Sequence, residues 1–234
     1  MKSVERGFFV TIWLVSFFGL SLDGADITLA PELKTQGWVE ITFDGKEPNR
    51  FSGCGINCTE IVTDKSVSMI AKSVSVNLSD SPVLKWEWQI QGPVEKSNLA
   101  KQGLDDRPVA LYVGFPYDAR TASFPERMLR PIIETIRGSD APGRVLSYIW
   151  GGAGDIGDFV KSPHFGSIHF MIISQNDASP IGVWVSETQD IVADHKRIFG
   201  SKPAKVSHVS LSADSDDTGT TNLARVRNIE FQPR

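Results

Sequence analysis

The sequence predicts an all-β fold: a two-sheet antiparallel β-sandwich of the jelly-roll kind with one short helical insertion. Three observations predict it. From residue 37 onward, short runs of apolar and polar residues alternate with period two. Gly, Pro, Asp, Asn and Ser separate the runs, as turns require. Only two stretches switch to helical spacing, and both are short. With 234 residues, 41% of them hydrophobic and 22% charged, the chain can bury one sizeable core. A net charge of −4 gives no clustered basic face for nucleic acid. Two cysteines are too few for a disulfide-dense scaffold or a four-thiolate zinc site.

The first 25 residues read as a secretory signal peptide. Lys2 and Arg6 precede an uncharged apolar run, Gly7 to Leu22, and the small residues Gly24 and Ala25 follow. The run is shorter than the roughly 20 residues that cross a bilayer comfortably. Cleavage after Gly24 or Ala25 is expected to leave residues 26–234 as a single domain without a stable membrane span; an uncleaved anchor is the other reading. The expected location is periplasmic or secreted. An oxidising compartment favours a disulfide between Cys54 and Cys58, a local staple whose short loop gives limited entropic stabilisation.

Along the mature chain, Gly37 to Phe43 reads as a strand, and Ser66 to Leu78 as two strands or one long bent one. Val83 to Ile90 is the clearest: Leu84, Trp86, Trp88 and Ile90 share one face, Lys85, Glu87 and Gln89 the other. So apolar a stripe belongs in the core rather than on a sugar-stacking surface. Val109 to Phe115 sets Val109, Leu111, Val113 and Phe115 against Ala110, Tyr112 and Gly114. The insertion near 124–137 carries Met128, Ile132, Ile133 and Ile136 at helical spacing, and Pro131 should kink or split it. Arg144 to Trp150, Ile168 to Ser174 and Gly182 to Ser186 are further strands. A short helix over Ile191 to Phe199 enters through Asp190 and ends near Gly200. Val206 to Ser212 and Leu223 to Phe231 complete the strands.

A sandwich strand has one face in the core and one facing water, so the outward residues are the functional candidates. If their strands share a sheet, Glu87, Tyr112, His208 and Asp214 form an open polar face. Trp150 and Trp184 lie near strand ends, where an aromatic ring can line a cleft, and Asp216 follows Asp214 on the same side. Hydrogen-bonding side chains beside an aromatic ring are what a pyranose needs. Asp214, Asp216 and Asp217 crowd oxygen ligands into one turn, a calcium candidate without the spacing of an EF-hand; no other cofactor is expected. His164, His169, His195 and His208 lack zinc-hydrolase spacing, and no Gly-x-Ser-x-Gly elbow or phosphate loop occurs. Asp105 and Asp106, being adjacent on an extended chain, point opposite ways.

Several stretches in order carry a resemblance: Leu84-Lys85-Trp86-Glu87-Trp88; Asp105-Asp106 with Leu111 to Phe115; Pro142 to Trp150; Trp184-Val185 with Glu187, Asp194 and Phe199-Gly200; and Asp214 to Gly219. Together they resemble the bacterial domain-of-unknown-function family 3047. Ala110, His195 and Asp217 depart from the Arg, Tyr and Asn usual there. The resemblance implies an exported β-sandwich similar to carbohydrate-binding modules and supplies no catalytic residues. The expected function is non-catalytic glycan binding, with carbohydrate as partner and no nucleic acid. Two alternatives stand beside it. One is a glycan-active hydrolase or lyase using Asp or Glu with His208 or Tyr112. The other is a structural or protein-interaction module of the envelope.

Overall fold

The computed structural model describes residues 27–92, 97–151 and 154–234. The expected signal peptide lies outside them. In chain order the elements are α1 (Pro31–Thr35), β1 (Val39–Ile41), β2 (Arg50–Gly53), β3 (Cys58–Asp64), β4 (Val67–Asn77), β5 (Val83–Ile90) and β6 (Arg107–Phe115). Then follow α2 (Phe124–Arg137), β7 (Arg144–Trp150), β8 (Phe159–Ser162), β9 (Gly166–Gln175), β10 (Val185–Asp190), α3 (Ile191–Phe199), β11 (Lys205–Asp214) and β12 (Thr221–Gln232). They build a seven-stranded sheet, β1-β4-β11-β6-β7-β9-β8, packed on a five-stranded sheet, β10-β5-β12-β3-β2.

Alternation decides which face of each strand enters the core. Leu84, Trp86, Trp88 and Ile90 of β5 point inward and meet Leu111, Val113, Tyr148 and Trp150 from the larger sheet. Trp86 and Trp88 cross edge to face at 5.2 Å, and Trp88 lies 5.6 Å from Trp150. A Trp pair with this spacing is therefore core, as the sequence implied.

Several expectations are adjusted. Residues 67–77 form one long strand, not two. Only Val39–Ile41 of the first run pairs, and the strand expected from Gly182 begins at Val185. The β7–β9 pair is parallel, because the β8–β9 hairpin carries the chain back along β7. Pro131 does not split α2, which runs unbroken from Phe124 to Arg137: the proline removes one amide donor, leaving only the Arg127 carbonyl without its helical partner. In α3 the Asp190 side chain caps Ala193 N–H, and Gly200 closes the helix at φ 75°. Cys54 and Cys58 are bonded across the β2–β3 turn.

The outward face of β6 is the largest departure. Ala110, Tyr112 and Gly114 do point away from the core, yet every residue of β6 is buried. Two covers explain it. Leu99 packs on Ala110, Tyr112, Ile149, Met171 and Ile173 at one end. At the other, Pro142 lies so close that a Cβ on Gly114 would come within 2.8 Å of it.

Candidate functional site

Between those two covers a strip of side chains crosses the outer face of the larger sheet. Residues directly opposed in a ladder share a face. The register therefore lines up Val39, Ala71, Ser210, Tyr112, Ser147, Met171 and Val160 across β1, β4, β11, β6, β7, β9 and β8. The neighbouring row holds Ser73, His208, Gly114, Val145 and His169. The strip thus sets one phenol between two serines, with a histidine at each diagonal. Ser73 is exposed and marks one open end.

The His169 ring lies 5.6 Å from that of Tyr112, tilted by 40°, and shares a 2.8 Å hydrogen bond with Ser147 Oγ. Burial, with Arg107 and His164 nearby, pushes its pKa down to about 3, so it is neutral. His208 is also held below the usual histidine value by burial, against the opposing pull of Asp140. Its Nδ1 contacts Ser207 Oγ at 2.9 Å.

A buried charge cluster bounds the strip. Arg107 donates to Tyr112 Oη at 2.9 Å and to the Asp105 carbonyl at 2.7 Å. The same guanidinium nitrogen that meets that carbonyl lies 3.2 Å from Asp214 Oδ2 and 3.5 Å from Asp105 Oδ2. Burial opposes the Arg107 charge, but Tyr112, Asp214 and Asp105 outweigh it and raise its pKa. Asp214 is pushed up to about 7 by burial, then by Asp106 and Asp105, against the pull of Arg107. Its Oδ1 is buried without a hydrogen-bond partner among the described residues. Protonation would make that oxygen a donor. Exposed His164 reaches Asp105 Oδ2 at 3.2 Å and opens the cluster to solvent.

Asp105 and Asp106 immediately precede β6 and take different partners: Asp105 faces Arg107 and His164, and Asp106 reaches the turn after β11. It accepts the Thr218 N–H at 2.7 Å and hydroxyl at 2.6 Å, tying down the 215–219 turn. Oxygens of Asp106, Asp216 and Asp217 lie within 4.8 Å of one another, a spacing open to a hard cation. Lys46 pairs with Asp216 there. The expected calcium set changes accordingly: Asp214 faces Arg107, and Asp106 stands in its place beside Asp216 and Asp217.

Of the candidate ligand residues, Tyr112, His208 and Asp214 share the outer face of the larger sheet. Glu87 does not join them. It lies on the outer face of the smaller sheet, paired with Arg227 at 2.9 Å and with Asn228, bonds that lower its pKa. Trp184 is with Glu87, its ring 4.0 Å under the Arg227 guanidinium. Trp150 is fully buried between the sheets. Asp216 sits in the turn with Asp106. The residues that sequence reasoning passed over are Asp105, Arg107, Ser147, His164 and His169. Arg107, a cation opening an apolar strand beside two aspartates, was the available signal.

The family described as protein of unknown function (DUF3047) matches residues 36–230. No curated protein matches the chain. Among solved structures, the chain is similar to the xyloglucanase domain of NopAA, a type three effector from Sinorhizobium fredii, in complex with cellobiose. That likeness has 13% identity and a TM-score of 0.46, covering 85% of this chain and 95% of that one. A family 12 xyloglucanase from Bacillus licheniformis follows at 12% and 0.45, covering 84% and 97%. Endoglucanase cel12A from Rhodothermus marinus follows at 8% and 0.42, covering 83% and 91%. The fold stands on the two sheets themselves, not on these distant likenesses.

Proposed function

From the premise that the chain belongs to the DUF3047 family, we propose that it is an exported glycan-binding domain, periplasmic or secreted, whose sugar lies along the Tyr112 strip. One observation carries the reading. Ser210, Tyr112 and Ser147 stand side by side on three adjacent strands, about 4.8 Å apart. An aromatic ring flanked by hydroxyls is the combination a pyranose uses. Ser147 is fully buried against His169, and Tyr112 and Ser210 are nearly so, so the sugar reaches the strip from the side of half-buried His208 and exposed Ser73. The Tyr112 oxygen already accepts from Arg107, so its own proton is left to donate. Removal of residues 1–24 or 1–25 on export is part of the same proposal, and the intact mass of the exported protein tests it.

Native mass spectrometry of the processed protein with envelope and plant oligosaccharides, with and without calcium, tests the binding. A sugar adduct of unchanged glycan mass supports it; no adduct from any glycan sinks it. The calcium arm reads the Asp106, Asp216 and Asp217 trio. A second reading, a glycan-active enzyme, is favoured by one observation: the carboxylates of Asp214 and Asp105 flank one guanidinium, in a burial that pushes Asp214 up to about 7. Shortened glycans in the same spectra, lost in Asp214→Asn, would move the assignment there.

A further inference from the structure

Helix α2 is turned inside out. Its buried side chains are charged: Glu126 accepts from Arg144 Nε at 2.6 Å, and Arg130 donates to the Ser139 and Ala141 carbonyls at 2.5 and 2.6 Å. Phe124, Met128 and Ile132, which share one flank at i, i+4 and i+8, are 76%, 62% and 56% exposed. Leu129 beside them is 38% exposed. A helix of a globular domain ordinarily sets such a stripe against the core. Here polar anchors hold the helix, and the stripe faces out.

A pocket of about 300 Å³ adjoins the N-terminal end of this helix. Thr121 and Ala122, which lead into α2, line it together with Arg120, Lys202 and Lys205. Those three cations are exposed. Arg120 pairs with Asp118, whereas neither lysine has an acidic partner among the described residues. The pocket also takes in Asp118 and Glu126, paired with Arg120 and Arg144, so its unpaired charge is that of the two lysines; it lies at the N-terminal end of the helix that carries the exposed apolar stripe.

We infer that this end of the molecule seats on an anionic lipid bilayer, with the α2 stripe at the boundary between headgroups and acyl chains and lipid phosphate against the cationic pocket. A bilayer surface offers both complements together: apolar depth for Phe124, Met128 and Ile132, and dense negative charge for the cations. No helix among the described residues is long and apolar enough to cross a membrane, and the contact proposed is peripheral. It stands independently of the glycan reading.

Co-sedimentation of the processed protein with phosphatidylcholine vesicles, with or without phosphatidylglycerol, tests the inference. The protein should pellet with the anionic vesicles and far less with the neutral ones. Phe124→Ser/Met128→Ser/Ile132→Ser should abolish pelleting. Lys202→Gln and Lys205→Gln should each weaken it about fivefold. All these residues are exposed and none anchors the helix, so the variants keep the fold. They also share the parent's N-terminal end, whose contribution cancels. Pelleting that is absent, or unchanged in the triple variant, overturns the inference. So does a parent that self-associates through the stripe, or one that binds inorganic phosphate at the pocket but no vesicle.

Discussion

Replacing Asp214 by Asn should change how stability depends on pH. Burial and the neighbouring Asp106 and Asp105 raise this carboxyl to about 7 from an ordinary 3.8, even though Arg107 opposes the shift. A raised folded-state pKa means that the native state holds the proton more tightly than the unfolded chain. The resulting stabilisation is complete below the ordinary carboxylate pKa and is lost as pH climbs to about 7. Each pH unit well inside that window is worth about 1.4 kcal/mol; because the group is half titrated at its folded-state pKa, about 2 kcal/mol is lost between pH 5 and pH 7 and about 3 kcal/mol by pH 8. Asparagine keeps the shape and supplies a donor where Oδ1 now has no partner. Urea unfolding of parent and variant at intervals from pH 5 to 8 reads the effect. The variant should gain on the parent by about 3 kcal/mol across that range. Parallel profiles would mean that Asp214 is an ordinary ionised partner of Arg107.

His169 should act with the opposite sign. Burial, then Arg107 and His164, depress its pKa to about 3 from 6.5, so its stabilisation is present above 6.5 and lost as pH falls. His169→Gln should remove that loss, about 1.4 kcal/mol per pH unit, in acid unfolding measured beside the parent. Because the two slopes oppose each other between about pH 4 and 6.5, the parent profile should be flat there with respect to these groups. Arg107→Met would strand two buried carboxylates and should cost about 3–5 kcal/mol in urea at pH 8, and less at pH 5. Trp86→Ala should cost about 3–5 kcal/mol by chemical denaturation, as expected for a large void between the sheets. Tyr112→Phe keeps the ring and should weaken glycan binding about fivefold in titration calorimetry, the worth of one hydrogen bond.

How far the fold can be read from the chain differs by element. Strands β5 and β6 announce themselves because their alternation is uninterrupted, and α3 does so because Asp190 and Gly200 mark both ends. Alternation states which residues share a face, but not which strands share a sheet. Glu87 and Tyr112 look alike in sequence, and hydrogen-bond partners far away in the chain place them on opposite sides of the molecule. Strands β2 and β8 have four residues each, too few for a period-two signal to stand out, and in β3 the inward set Thr59, Ile61 and Thr63 is mostly polar, so apolar and polar residues do not alternate. The outer face of β6 was expected to be wet, and its burial depends on Leu99 and Pro142, which no local pattern connects to it. Arg107 belongs to the same class: a cation at a strand start reads as solvated until the chain folds Asp105 and Asp214 around it. In α2 the helical spacing is legible, but its direction is not. Only Glu126 and Arg130 finding Arg144 and the Ser139 and Ala141 carbonyls turns the apolar flank outward.

The proposed sugar site is the outer face of the seven-stranded sheet. Backbone amide chemical shifts of the processed protein, followed by NMR during titration with the glycan that adds in mass spectrometry, test it most directly. Shifts should concentrate at Tyr112, Ser147, His208 and Ser210, with Glu87, Trp184 and Arg227 unmoved. Shifts clustered instead around Glu87, Trp184 and Arg227 would place the ligand on the smaller sheet and contradict it.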